Sequence, residues 1–301
     1  MTDWGSGYNV ETGYTHGFYR QTAPGWLDCV AALNKVERPT GARYLELGCG
    51  YGYGLILLAG LYPEYEFVGV DFNPTHIAYA RRLAADAGLT NIRFEEADFV
   101  ELAADWPPDW GHFDYIVAHG IISWIAPDIR QAMMRVVDRA SAPGALVYLS
   151  FNAMPGRVSI APMQHLLRLW QKSEGRDSAD AISTGMARLD KLSEVGTGLD
   201  RALPLFSKNV DRMGAKDSAY LIHEFLNECW QPFWFDDIAR EAATSKLSHV
   251  GSADLNEIYV DKILGKAQRE MLTQYEDPVV REVMLDVVLN RVFRKDVFVR
   301  G

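Results

Sequence analysis

The tightest constraint on this chain lies where an apolar strand, residues 42–47, runs without a spacer into Glu46-Leu47-Gly48-Cys49-Gly50-Tyr51-Gly52. Glycines at alternate positions remove the side chains that would keep a ligand off the backbone, and they open φ values closed to other residues. A turn of this kind belongs at the carboxyl end of a parallel strand, where open α/β sheets bind their ligands. The flanking sequence supplies that setting. Helical patterns at 25–36, 55–61, 74–87 and 128–140 alternate with strand patterns at 42–47, 66–70, 92–96, 113–118 and 145–151, joined by short connections. The strand cores are nearly continuous apolar runs, as in a parallel sheet covered on both faces.

After residue 151 the alternation lapses. Helical character fills 163–171, 179–192, 200–213 and 218–229, then a sheet-covering helix at 235–245 leads to strands at 247–252 and 296–300, with a second helical excursion over 255–292. The expected organisation is one doubly wound α/β sheet. Residues 1–154 form the core with an amino-terminal lid, 155–232 a helical insert that serves as substrate lid, and 233–301 the end of the core sheet with its helical excursion.

Composition narrows the function classes. A length of 301 residues with 48% hydrophobic content supports a full α/β core, and a net charge of -10 offers no basic face to neutralise phosphates, which disfavours a nucleic-acid partner. Cys29, Cys49 and Cys229 are too widely spaced for a zinc ribbon, a redox dithiol or a disulfide framework, so no metal is expected and a reducing cytoplasm is the expected compartment. Neither a signal peptide nor a membrane-spanning apolar run is visible.

The glycine turn does not fit the dinucleotide fingerprint G-x-G-x-x-G. Counted from Gly48 the third glycine falls on Tyr53, and counted from Gly50 it falls on Leu55. The form E-x-G-x-G-x-G instead resembles motif I of the class I S-adenosylmethionine methyltransferases. Its neighbours extend the likeness. Asp71, about twenty residues on and followed by Phe72, stands where a carboxylate can accept both ribose hydroxyls; the competing reading is an N-cap for the helix at Pro74, for which Asn73 is better placed. Asp98 ends the third strand, where such enzymes bond the adenine amino group, with a surface turn as the alternative, and Phe99 would pack on the adenine face. Glu46 would orient the turn and the methionine ammonium indirectly.

His119 follows the fourth strand and should lie near the reacting methyl group, whereas Asp114 sits at the opposite strand end and is structural. Two roles compete for His119: a general base or acceptor-orienting group, or a plain hydrogen bond that holds its loop. The leader, with Tyr8, Tyr14, His16, Tyr19 and Arg20, either folds over the cofactor carboxylate or packs on the sheet. His223-Glu224 opens like the zinc motif H-E-x-x-H, but Asn227 replaces the second histidine, leaving Tyr220, His223 and Asn227 as one helical face. Trp124, Trp170, Trp230, Phe233 and Trp234 either wall an acceptor site or form the core of the insert.

Three longer stretches narrow the resemblance: His119 to Ile125, Ser150 to Gly156 and Tyr220 to Asn227 are similar to bacterial methyltransferases that carry a methyltransferase regulatory domain, a group that includes protein-lysine methyltransferases acting on outer-membrane proteins in rickettsiae. The resemblance implies a seven-stranded class I methyltransferase sheet with its last strand antiparallel, and S-adenosylmethionine as cofactor. It implies cofactor contact along the glycine turn, Gly48, Gly50 and Gly52 with Glu46, and at Asp71, Phe72, Asp98 and Phe99, with His119 on the acceptor side. The expected activity is methyl transfer to an amine or hydroxyl acceptor, either a protein lysine or a small molecule of a biosynthetic pathway. A lysine must lose a proton first, so His119 or the leader residue Tyr14 would matter for it. The sequence ends at Gly301, short of the further carboxy-terminal domain of the longer lysine-modifying relatives, which weighs against a protein substrate. A cofactor-binding regulatory protein without turnover is the alternative from another class, and an NAD-linked oxidoreductase is disfavoured by Tyr53 and Leu55.

Overall fold

The structure, a computed structural model, describes residues 17–301, apart from the side chain of Asp261. Its seven strands are β1 (Arg43–Leu47), β2 (Glu66–Asp71), β3 (Ile92–Glu96), β4 (Phe113–Ala118), β5 (Ser141–Asn152), β6 (Leu247–Ser252) and β7 (Phe293–Arg300). They form one sheet in the order β3-β2-β1-β4-β5-β7-β6. The first five pair in parallel, and β7 runs antiparallel to both β5 and β6. The chain order reverses between β1 and β4, and the ligand crevice of an open α/β sheet lies at such a point.

Alternation along each strand explains why both faces are covered. In β1, Leu45 and Leu47 join Val68, Val70, Ile116 and Ala118 in a core against α4 (Phe99–Ala104), α5 (Pro127–Ala140) and α11 (Phe235–Thr244). Tyr44 points the other way, with Phe67 and Tyr115, into a core under α1 (Pro24–Leu33), α2 (Tyr53–Leu61) and α3 (Pro74–Asp86). The insert comprises α6 (Ala161–Glu174), α7 (Ser178–Val195), α8 (Gly198–Ala202), α9 (Phe206–Gly214) and α10 (Ser218–Phe225), and it packs around a core of its own that includes Met163, Leu189 and Phe225. The excursion after β6 holds α12 (Val260–Ile263), α13 (Lys266–Leu272) and α14 (Pro278–Leu289).

Several local features depart from the sequence expectation, among them β5, which begins at Ser141 rather than 145, and α1, which ends at Leu33 rather than 36. The helix expected over 200–213 is two helices, because Leu203 precedes Pro204 and takes a non-helical conformation (φ −128°, ψ 79°), ending α8. The last helix of the insert stops at Phe225 rather than 229. α4 was not anticipated: six residues are too few for a hydrophobic period to show. β7 begins at Phe293, not 296, because its charged residues are buried instead of facing water. Arg294 bonds Asp296 at 2.7 Å and Asp286 at 2.6 Å, while Arg291 bonds Asp286 at 2.7 Å, tying β7 to α14.

Candidate functional site

A cleft opens at the carboxyl ends of β1, β2 and β4 and draws walls from the glycine turn, the starts of α3 and α4, residues 119–129 and the leader at Gly17 and Tyr19. The turn is strapped to its neighbour: the Gly48 and Cys49 N–H groups both donate to Val70 O, at 2.8 and 2.9 Å. Gly48 has φ +72° and a Cβ there would sit 2.7 Å from Ile121 Cγ2, so no other residue fits without displacing that wall. Gly50, at φ +54°, is different: a Cβ would meet nothing within 4 Å, which leaves bare backbone facing open space.

Asp71 is nearly buried and works hard within the fold. Its Oδ2 accepts the Gly50 N–H at 2.8 Å and its Oδ1 the Asn73 N–H at 2.9 Å, with His76 Nδ1 at 3.3 Å. The cap of α3 belongs to Asn73, whose side chain accepts from the Thr75 N–H at 2.9 Å. Asp71 therefore clamps the glycine turn to the start of α3, and Oδ2, with two acceptor positions, can take a second donor from the cleft. Asp98 has a structural task of its own: it caps α4 by accepting the Val100 N–H at 2.6 Å. It lines the cleft beside Phe72, Ala97 and Phe99, so the carboxylate and the aromatic surface expected for a nucleobase stand together.

Glu46 lines the same cleft, and burial together with the charge of Asp71 pushes its carboxyl up to about 8. It is therefore mostly protonated at neutral pH and ready to ionise toward a cation. His119 also lines the cleft; burial, and then the charge of Lys295, hold its imidazole down at about 4. Its Nδ1 lies 3.0 Å from the Tyr148 hydroxyl and 3.2 Å from Ser150 Oγ, and the Tyr19 ring lies against it, tilted by 36° with centroids 3.9 Å apart. These contacts tie His119 to β5.

Among the expected leader contacts, Tyr19 reaches the cleft. The leader is anchored by Trp26, whose Nε1–H donates to Ala253 O at 2.7 Å. Tyr8, Tyr14 and His16 lie outside the described residues. Of the aromatic residues considered for an acceptor wall, Trp124 lines the cleft, Trp170 and Trp230 pack on the insert's core, and Phe233 belongs to the main core. No insert side chain is among the cleft's described walls; the insert touches them through Trp124, whose Nε1–H donates to Glu224 O at 3.3 Å. Glu224 itself pairs with Arg157 at 3.0 Å, both buried, and no metal-holding cluster occurs among the described residues.

Sequence reasoning passed over Tyr148 and Ser150. Their signal was present, since hydroxyls two apart in an apolar strand share one face of the sheet.

Comparison with known proteins agrees with this geometry. Residues 39–184 match the family model of a methyltransferase domain, and residues 217–300 that of the predicted methyltransferase regulatory domain. An uncharacterised protein of Synechocystis is 37% identical over 302 residues, 99% of this chain and 59% of its own length. An uncharacterised protein of Rickettsia prowazekii is 29% identical over 286 residues, 92% of this chain and 49% of its own. The chain thus spans 49% to 59% of the length of these relatives. Among solved structures, PKMT2 from Rickettsia typhi, in complex with AdoHcy, superposes with a TM-score of 0.83 at 22% identity, covering 96% of this chain and 55% of that one, and so shares its fold. The chain thus matches a methyltransferase domain followed, in sequence order and on one seven-stranded sheet, by the predicted methyltransferase regulatory domain.

Proposed function

We propose that the protein binds S-adenosylmethionine in this cleft and transfers its methyl group to an amine or hydroxyl acceptor. The observation that carries the reading is the juxtaposition of bare backbone at Gly50 with Asp71 and Asp98 at the ends of adjoining strands. When bound, the cofactor supplies an electrophilic methyl on a sulfonium. Gly48, Gly50 and Gly52 give it backbone, Asp71 takes a ribose hydroxyl through the free acceptor position on Oδ2, and Asp98 takes the adenine amino group, with Phe72 and Phe99 against the base. Glu46 ionises beside the cationic methionine portion.

Methyl transfer needs an in-line approach and a free lone pair more than an acid, so positioning carries the acceleration. His119 is a poor proton acceptor for this purpose. Moving a proton from a lysine ammonium of ordinary pKa onto a group near 4 is uphill by about 9 kcal/mol. If the acceptor is a protein lysine, its proton leaves to solvent or to the leader, where Tyr14 remains the candidate. We take the insert, residues 155–232, as the substrate-facing lid, a reading supported by the bond from Trp124 Nε1–H to Glu224 O, and residues 233–301 as the end of the sheet with its helical excursion. Among the described residues no helix is long and apolar enough to cross a membrane. We place the enzyme in the cytoplasm, with a protein lysine or a small molecule as acceptor and no nucleic acid.

The test is incubation of the protein with cell extract and methyl-labelled S-adenosylmethionine, followed by mass spectrometry. A component that gains a methyl group only when the protein is present is the expected result. Tight binding of S-adenosylhomocysteine with no labelled component would point to the regulatory reading, and neither binding nor labelling would refute the proposal.

A further inference from the structure

Tyr148 and Ser150 present their hydroxyls from one face of β5 to the loop that carries His119, and both are fully buried. Three groups share a small triangle there. His119 Nδ1 is 3.0 Å from the Tyr148 oxygen and 3.2 Å from Ser150 Oγ, and Ser150 is also within hydrogen-bonding reach of Tyr148. The Gly120 N–H donates to Ser150 Oγ at 2.8 Å, which uses one of that oxygen's acceptor positions.

Counting hydrogens decides the tautomer. Suppose Nδ1 carries the ring proton. Three hydrogens then need acceptors within the triangle, but a protonated Nδ1 accepts none, and one buried hydroxyl hydrogen is left over whichever way the bonds run. If Nδ1 is bare, two hydrogens remain and both are placed: either Tyr148 donates to Nδ1 and Ser150 to the Tyr148 oxygen, or Ser150 donates to Nδ1 and Tyr148 to the remaining acceptor position of Ser150 Oγ. Buried polar groups find partners, so the second arrangement holds. The ring proton sits on Nε2.

We infer that His119 presents a permanent Nε2–H donor to the cleft, that Ser150 and Tyr148 are the positioning residues that keep it so, and that it grips a carbonyl or carboxylate oxygen of a bound ligand. The partner is not a reacting amine nitrogen, since a donor on that atom would occupy the one lone pair needed for attack. The tautomer follows from the triangle alone, and only the ligand's identity rests on the methyltransferase reading. The gripped oxygen belongs either to the cofactor's carboxylate or to a carboxylate on the acceptor.

Nitrogen-15 NMR of the histidine-labelled protein, assigned with His119→Asn, tests this without turnover. The expected spectrum has a protonated Nε2 and a bare Nδ1, unchanged between about pH 6 and 8. A proton on Nδ1 overturns the inference. The double variant Ser150→Ala/Tyr148→Phe should show both tautomers, and a spectrum identical to wild type would remove those residues as the holders; should that variant not fold, the wild-type spectrum still decides the tautomer. Saturation with S-adenosylhomocysteine shifts the Nε2–H signal if the oxygen is the cofactor's. A shift that appears only when sodium acetate is added to that complex assigns it to the acceptor side, and no shift with either refutes the grip. Because the ligand-free spectrum is read before any transfer, a failure of the methyltransferase proposal and a failure of this one are separable.

Discussion

Glu46 offers a quantitative test of how the cleft meets a charged cofactor. Its carboxyl stands at about 8 because it is buried and because Asp71, on the neighbouring strand, is negative. A sulfonium or ammonium seated beside it favours the ionised form, so binding should expel the proton. With ionised Glu46 as the binding-competent form, the apparent affinity scales with its ionised fraction. That fraction is about one half at pH 8, about one in eleven at pH 7 and about one in a hundred at pH 6; the first pH unit below 8 thus costs about 1 kcal/mol and the next about 1.3 kcal/mol. Titration calorimetry at pH 7 in two buffers of different ionisation enthalpy should report about 0.9 proton released per cofactor bound. The cofactor's own α-amino group titrates near the same range, so the comparison that matters is with Glu46→Gln, in which this pH dependence should vanish while the ligand's own remains. S-adenosylhomocysteine lacks the sulfonium charge, and a smaller release with it would assign the effect to the sulfur. An affinity equal in slope for wild type and Glu46→Gln from pH 6 to 9, with no buffer dependence, would refute the reasoning.

The same group governs stability: its folded pKa lies above the unfolded value, so the native state holds the extra proton and loses stability as pH rises from about 4.5 through about 8. Thermal melts should therefore show wild type falling relative to Glu46→Gln across that window. Gly50→Ala should cost about 1 kcal/mol of stability, from the positive φ alone, yet weaken S-adenosylhomocysteine binding severely because its methyl enters the cleft, whereas Gly48→Ala should cost more stability through its clash with Ile121; melts paired with calorimetry separate the two. Arg294→Met should destabilise by about 3–5 kcal/mol in urea unfolding, since Asp286 and Asp296 would be left buried without their shared cation.

How much of this was legible in the chain depends on the kind of signal. The first five strands were readable because each is a short apolar run between turn residues, and β3 and β4 fall where the pattern puts them. Asn73 as the cap of α3 was readable too, because capping is a local matter of one side chain and its own backbone. The start of β7 was not, since the alternation that marks a half-buried strand assumes that charges face water, and Arg294 and Asp296 face each other. Nor did the pattern show that Asp98 would begin a helix.

The cleft repeats that lesson with chemical consequences. Residue types announced Asp71, Asp98 and His119, but not what each would already be holding. Asp71 holds Gly50 through a bond that spans 21 residues, and His119 is bound to hydroxyls 29 and 31 residues away. Such pairings exist only once the register is set: β1 and β2 align Glu46 with Gly69, two residues short of Asp71, and that alignment brings two carboxylates into one desolvated space. Raising Glu46 toward neutrality is then a property of neither residue alone. A sequence motif can name the donors and acceptors of a cofactor site, while their protonation states follow from which strands lie side by side. The proton that a bound cation would expel is thus a consequence of topology: exchanging Glu46 for glutamine should abolish its share of the release, while exchanging Asp71 for asparagine should only reduce it, because the burial of Glu46 remains.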